Sequence, residues 1–178
     1  MTTDNKEKWI LKGYEHFALE GLSGLKIEPI ANEVGISKSS FYHHFGDIEC
    51  FIELLLKHHI ERSLVISKKE RNAAIIDPDL INIIIEHKID FLFNKQLRIN
   101  SNHKLFPETL EHSNQVVGDL FSMRWVNDIN QKLTKNQTEA ILQLVIENFF
   151  LQITNNNINY NWLAEYFKNL KSITDKFV

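Results

Sequence analysis

The sixteen residues Ile30-Ala31-Asn32-Glu33-Val34-Gly35-Ile36-Ser37-Lys38-Ser39-Ser40-Phe41-Tyr42-His43-His44-Phe45 read as two short helices joined by a tight turn. Ile30, Ala31 and Val34 lie at helical spacing, and Gly35 follows where the chain must leave the helix with a positive φ. Helices that cross steeply need a small side chain at closest approach, which Ala31 supplies, and Ile36 can plug the angle between them. Ser37 suits the cap of a second helix, predicted over Lys38 to Phe45 and closed by Gly46. At about 100° per residue, Phe41 and Phe45 share an inward face. Ser39 and His43 then point outward, flanked by Ser40 and Tyr42, while Lys38 reaches out from the first turn. A lysine, hydroxyls, a tyrosine and an imidazole on one open helix face can bond phosphates and base edges in a major groove.

Helical spacing continues on both sides. Ile10, Tyr14 and Phe17 predict a first helix from about Asn5 to Glu20 with Gly21 as its stop, and Pro29 suits the first turn of the next helix, which starts near Ile27 or Glu28. Asp47 caps a long fourth helix whose buried side is expected to carry Phe51, Leu54, Leu55, Ile60 and Leu64. After a polar stretch at Lys68 to Asn72, Asp77-Pro78-Asp79 signals a helix running to about Gln96. A short helix over Ser101 to Ser113, then one over Asn114 to Leu133, are expected next. Gln137 to Thr154 is apolar nearly all round, so it should be covered on more than one side. The run Asn155 to Asn157 is a natural loop before a last helix striped by Leu163, Tyr166, Phe167, Leu170, Ile173 and Phe177. Five of the six glycines fall within the first 46 residues, so short punctuated helices give way to longer ones. The expected fold is all-α, with a DNA-reading domain over residues 1–46 and a larger helical domain over 47–178.

Composition narrows the function classes. With 178 residues, 43% hydrophobic and 24% charged, the chain can bury a core and is no disordered tail. Its polar start and the lack of any long apolar run predict a cytosolic protein without membrane contact. Cys50 has no partner thiol and is expected to be a small buried residue. Eight histidines include the pairs His43-His44 and His58-His59, but adjacent helical residues diverge, and no Glu-x-x-His, His-Glu-x-x-His, Gly-x-Gly-x-x-Gly or serine-elbow motif is present. No metal, cofactor or catalytic residue is therefore expected. The formal charge of -3 sits awkwardly with DNA binding, since residues 1–45 hold five lysines against six acids. Binding must then lean on helix N-termini, hydroxyls and dimerisation.

The N-terminal third resembles the TetR family of bacterial repressors. The family pattern is matched by Phe17 to Gly21, Ile30-Ala31, Val34 to Ser37, Phe41, Tyr42 and Phe45, and by Asp47 at the start of the fourth helix. The chain departs from the pattern at Lys26, where many relatives carry Thr or Ser, and at Ile48, where they carry a lysine. The resemblance implies base contacts from Lys38, Ser39, Ser40 and His43, and phosphate contacts from Tyr42, Lys26 and His44. It also implies a homodimer formed through the last two helices, bound to a palindromic double-stranded operator and released by a small-molecule effector. The central helices would hold that effector, with His87, Phe91, Phe121 and Trp125 as its expected lining, from a set that also includes Phe93, Phe106, Asn94 and His112. Two rival readings remain: a helical module that binds protein and no DNA, which the acidic balance favours, and a helical enzyme.

Overall fold

The structure, a computed structural model, describes residues 2–128 and 134–174, and for residues 2–4, 118–128, 135 and 174 the backbone alone. Helices follow one another throughout, with no strand among the described residues: α1 (Thr2–Glu20), α2 (Ile27–Val34), α3 (Lys38–Phe45), α4 (Ile48–Asn72), α5 (Ile81–Glu86), α6 (Lys88–Ile99), α7 (Phe106–Asp128), α8 (Lys135–Gln152) and α9 (Tyr160–Thr174). They pack as two compact units, one of Met1–Ser63 with Ile89–Ser113 and one of Leu64–Lys88 with Asn114–Val178.

The first unit is built around aromatic rings. Trp9, Phe17, Phe41, Phe51, Phe93 and Phe106 are all fully buried. Phe93 of α6 stacks on Tyr14 at 4.2 Å and leans on Phe17 at 4.5 Å, and Phe106 meets Phe17 edge-on at 5.5 Å. Contacts of this kind add to the burial of the large ring areas themselves. Within this aromatic core lies a polar cluster. The Tyr14 hydroxyl is 2.7 Å from Nδ1 of His59 and donates to Asp90 at 2.9 Å, and Arg62 grips the same carboxylate through Nε at 3.1 Å and a terminal nitrogen at 3.0 Å. Asp90 is almost fully buried, so its charge is held in the core by paired donors.

The second unit is aliphatic, with α5 packed on α9. Ile81, Ile84, Phe149, Ile153, Ile158, Leu163 and Phe167 are buried there, and Leu142 and Val145 pack with Ile76, Ile141 and Leu170. Thr134 opens α8 with a capping box, its hydroxyl and the Gln137 side chain satisfying each other's backbone amides. The asparagine loop is held by Asn157, which accepts from the Thr154 amide at 2.6 Å and donates to the Gln152 carbonyl at 2.9 Å.

Several expectations about individual elements need correction. The stretch at Lys68 to Asn72 is the last turn of α4, not a break. Leu64 is exposed; the buried face of α4 instead carries Phe51, Ile52, Leu55, Leu56, His59, Ser63 and Ile66. The helix anticipated from Asp77 to Gln96 is interrupted at His87, which separates α5 from α6. Asp79 serves as a local clamp, accepting from the amides of Ala74 and Ile75. The two helices expected between Ser101 and Leu133 are one continuous α7 as far as Asp128, with Pro107 in its first turn, where a missing amide costs nothing. Cys50 is exposed rather than buried.

Candidate nucleic-acid interface

The candidate interface is assembled by α2, the turn after it and α3. Pro29 stands in the first turn of α2, whose buried residues are Ile30 and Ala31. Gly35 ends the helix at φ 68°, a left-handed conformation that an L side chain resists. The Ile36 amide then reaches back to the Ala31 carbonyl at 3.1 Å, so the chain turns sharply into α3. Across this turn, Glu33 of α2 is tied to α1 by His16 at 2.9 Å and Lys12 at 3.4 Å. Burial raises the Glu33 pKa, but the contacts with His16 and Lys12 outweigh it and hold the carboxyl below its ordinary value.

Helix α3 divides sharply into two faces. Phe41 is wholly buried and Phe45 nearly so. Phe41 meets Trp9 of α1 at 5.2 Å and Phe51 of α4 at 5.1 Å, while Phe45 meets Phe51 at 4.7 Å. On the reverse face Lys38, Ser39, Tyr42 and His43 are exposed, Tyr42 by 49%. Ser40 and His44 are half-buried. Lys26 is exposed at the residue immediately before α2. His43 and His44 touch each other edge-on at 5.5 Å and form no ion pair among the described residues. All seven residues expected at the interface therefore reach solvent on or beside the two short helices.

Ser37 occupies the cap position of α3 in extended backbone, but its hydroxyl bonds the Ser39 hydroxyl at 3.0 Å rather than a backbone amide. Asp47, by contrast, caps α4 directly, accepting from the Cys50 amide at 2.8 Å, and that bond is the main reason its carboxyl is held below its ordinary value. Trp9 and Gly13 escaped the sequence reading, which placed the first helix's stripe on Ile10. The usable signal was the spacing of Trp9, Gly13 and Phe17, each four residues after the last, which puts all three on one helix face.

The expected effector residues are distributed differently. His87 is buried in the second unit and Phe91 is half-buried in the first. Phe121 and Trp125 fall in α7 where the backbone alone is described, so their side chains lie outside the described residues. Phe93 and Phe106 are fully buried core rings of the first unit, Asn94 donates to the Ser113 hydroxyl at 3.0 Å, and His112 is exposed. Among the described residues no group of His, Cys, Asp and Glu side chains is placed to hold a metal ion, and no helix is long and apolar enough to cross a membrane.

Residues 11–54 match the family model of the bacterial regulatory proteins, tetR family, a span covering α2, α3 and the start of α4. Among solved structures, the chain is similar to a protein described as a TetR-family transcriptional regulator from Rhodococcus sp., with a TM-score of 0.56 at 14% identity over 97% of each chain. It is also similar to one so described from Mesorhizobium loti MAFF303099, with a TM-score of 0.58 at 14% identity over 99% of this chain and 96% of that one. At such identity the likeness speaks for the fold. No curated protein sequence matches the chain significantly.

Proposed function

We propose that this chain, a TetR-family DNA-binding transcriptional regulator, is a homodimeric repressor that leaves a palindromic operator when a small molecule binds its C-terminal helices. In this reading residues 1–46 read DNA, and residues 47–178 bind the effector and dimerise. The observation that carries the proposal is the two-faced α3. Its phenylalanines are locked into an aromatic core, so Lys38, Ser39, Tyr42 and His43 are held outward by burial of the opposite side. A rigid helix with hydroxyls, a cation and an imidazole on one face meets the geometric demand of major-groove reading. Lys38, Ser39, Ser40 and His43 contact base edges, while Tyr42, Lys26 and His44 contact phosphates.

One short helix offers too few contacts for specificity, so two copies must act together on half-sites about 34 to 36 Å apart or a multiple of that. Support for the dimer comes from α8. Its residues Leu142, Val145 and Phe149 face the core, whereas Leu144 and Leu151 are 70% and 76% exposed on another face. Ile173 of α9 is also half exposed. Apolar side chains on two faces of one helix are accounted for if a second copy covers the outer one. The effector acts by preferring the state with recognition helices wrongly spaced for DNA, and its differential affinity for the two states sets how far it lowers DNA affinity. By reciprocity, saturating operator must weaken effector binding to the same degree.

The test is selection of bound duplexes from a random DNA pool at low salt, with the wild type, Tyr42→Ala and Lys38→Ala. A symmetric sequence enriched by the wild type and bound about tenfold more weakly by each variant supports the proposal. Failure to enrich any palindrome favours a helical module that binds protein instead, the reading consistent with five lysines against six acids in residues 1–45.

A further inference from the structure

We infer that Gly13 and Phe51 are positioning residues for DNA reading: a matched pair in which the missing side chain on α1 admits the α4 ring against which the recognition helix rests. The inference builds on the DNA-reading proposal above. Glycine is a poor choice in the middle of a 19-residue helix, where alanine is better by propensity. Backbone freedom does not explain it, because Gly13 is not among the positive-φ glycines. Size does. A methyl at Gly13 would stand 2.6 Å from Cε1 of Phe51 and closer still to Cζ, far inside contact distance. These atoms belong to a stiff ring that is fully buried, so it has no flexible end to swing away.

The ring admitted by Gly13 is the one on which α3 rests. Phe51 touches both inward residues of the recognition helix, Phe41 at 5.1 Å and Phe45 at 4.7 Å. Trp9, one turn before Gly13 on the same face of α1, covers Phe41 from another side. The depth to which Phe51 sinks over Gly13 therefore sets where the two phenylalanines sit. Because α3 is one continuous helix of eight residues, the seat of its phenylalanines also sets where Lys38, Ser39, Tyr42 and His43 stand against a groove. A methyl on α1 would lift the ring and tilt the reading face. Shortening the ring to leucine would make room for that methyl and let α3 settle back.

A double-mutant cycle on the full chain tests this, using the duplex enriched by the wild type. Affinity is measured for the wild type, Gly13→Ala, Phe51→Leu and the double variant, alongside a thermal melt of each by circular dichroism. Gly13→Ala is expected to bind about tenfold or more weakly while fully folded at the assay temperature. The double variant should return to within about threefold of the wild type, a rescue that neither change achieves alone. The inference is overturned if Gly13→Ala keeps wild-type affinity, if its loss follows only the unfolded fraction, or if the double variant binds no better than Gly13→Ala. Should Gly13→Ala fail to fold, the double variant decides: it must both fold and bind. A wild type that enriches no duplex removes the DNA-reading proposal together with this one, whereas a binding wild type with an indifferent Gly13→Ala removes only this one.

Discussion

His59 shows what a single residue's surroundings do to its chemistry. Asp90 when ionised can only accept, so it accepts the hydrogen bond of the Tyr14 hydroxyl, and Nδ1 of His59 must donate to the Tyr14 oxygen. Nε2 is then a bare acceptor, buried with no hydrogen-bond partner among the described residues, while Phe93 stacks on the ring at 4.6 Å. Burial is the main cause that pushes the imidazole pKa down to about 4, and the Asp90 charge opposes this only in part. Burial and then Asp90 push the Tyr14 hydroxyl well above its ordinary range, so it stays a donor at any working pH. A histidine lowered in the folded state favours folding fully above its unfolded pKa near 6.5, and that contribution is lost as pH falls towards 4. At about 1.4 kcal/mol per pKa unit the loss amounts to about 3 kcal/mol. Urea unfolding at pH 7 and pH 4.5 should show this decline in the wild type and a shallower one in His59→Gln. Equal declines would assign the acid sensitivity to other groups. None of this was legible in the sequence, where His58-His59 looked like one more adjacent pair. Neighbours on a helix face different surroundings, and only packing decided that His59 enters the core while His58 stays half-buried.

At the level of elements, legibility followed the stop signals. Gly35, Gly46, Pro29 and Asp47 act through their own backbone or side-chain geometry, so α2, α3 and the start of α4 were read almost to the residue. The break at His87 carries neither glycine nor proline, so no local signal marks it, and the imidazole at the end of α5 is buried. Pro107 makes no break, since proline is compatible with a first turn, and α7 begins there and runs on through Ser113 and Asn114. The start of α8 had a local signature in Thr134 and Gln137. Thr134→Ala removes the capping hydroxyl and should lower stability by about 1 kcal/mol, read as an earlier urea midpoint with an unchanged slope. A change below the error of the midpoint would mean that water replaces the cap without loss.

At the scale of the whole molecule, the second outward face of α8 matters most. Leu144 and Leu151 lie seven residues apart on one stripe with Ala140 and Asn148, and all four are exposed in the single chain. If a second copy covers them, Leu144→Glu with Leu151→Glu should halve the mass seen by sedimentation without lowering helix content, because neither side chain belongs to the core. Operator affinity should collapse with it, since two linked reading heads gain from effective concentration what one lacks in contacts. A wild type that sediments as a single chain, or a variant that still pairs, would place the partner surface elsewhere.

Local rules were enough to establish from the sequence an all-helical chain, a turn between two short helices and the outward set Lys38, Ser39, Tyr42 and His43. Helical periodicity, glycine at positive φ and the pairing of Phe41 with Phe45 act over a few residues. Tertiary structure alone decided that Phe51 sinks onto Gly13, that Tyr14, His59, Asp90 and Arg62 share a buried cluster, and that Cys50 faces solvent. Those outcomes join residues dozens of positions apart, and close packing in three dimensions, which no local pattern encodes, selects among them.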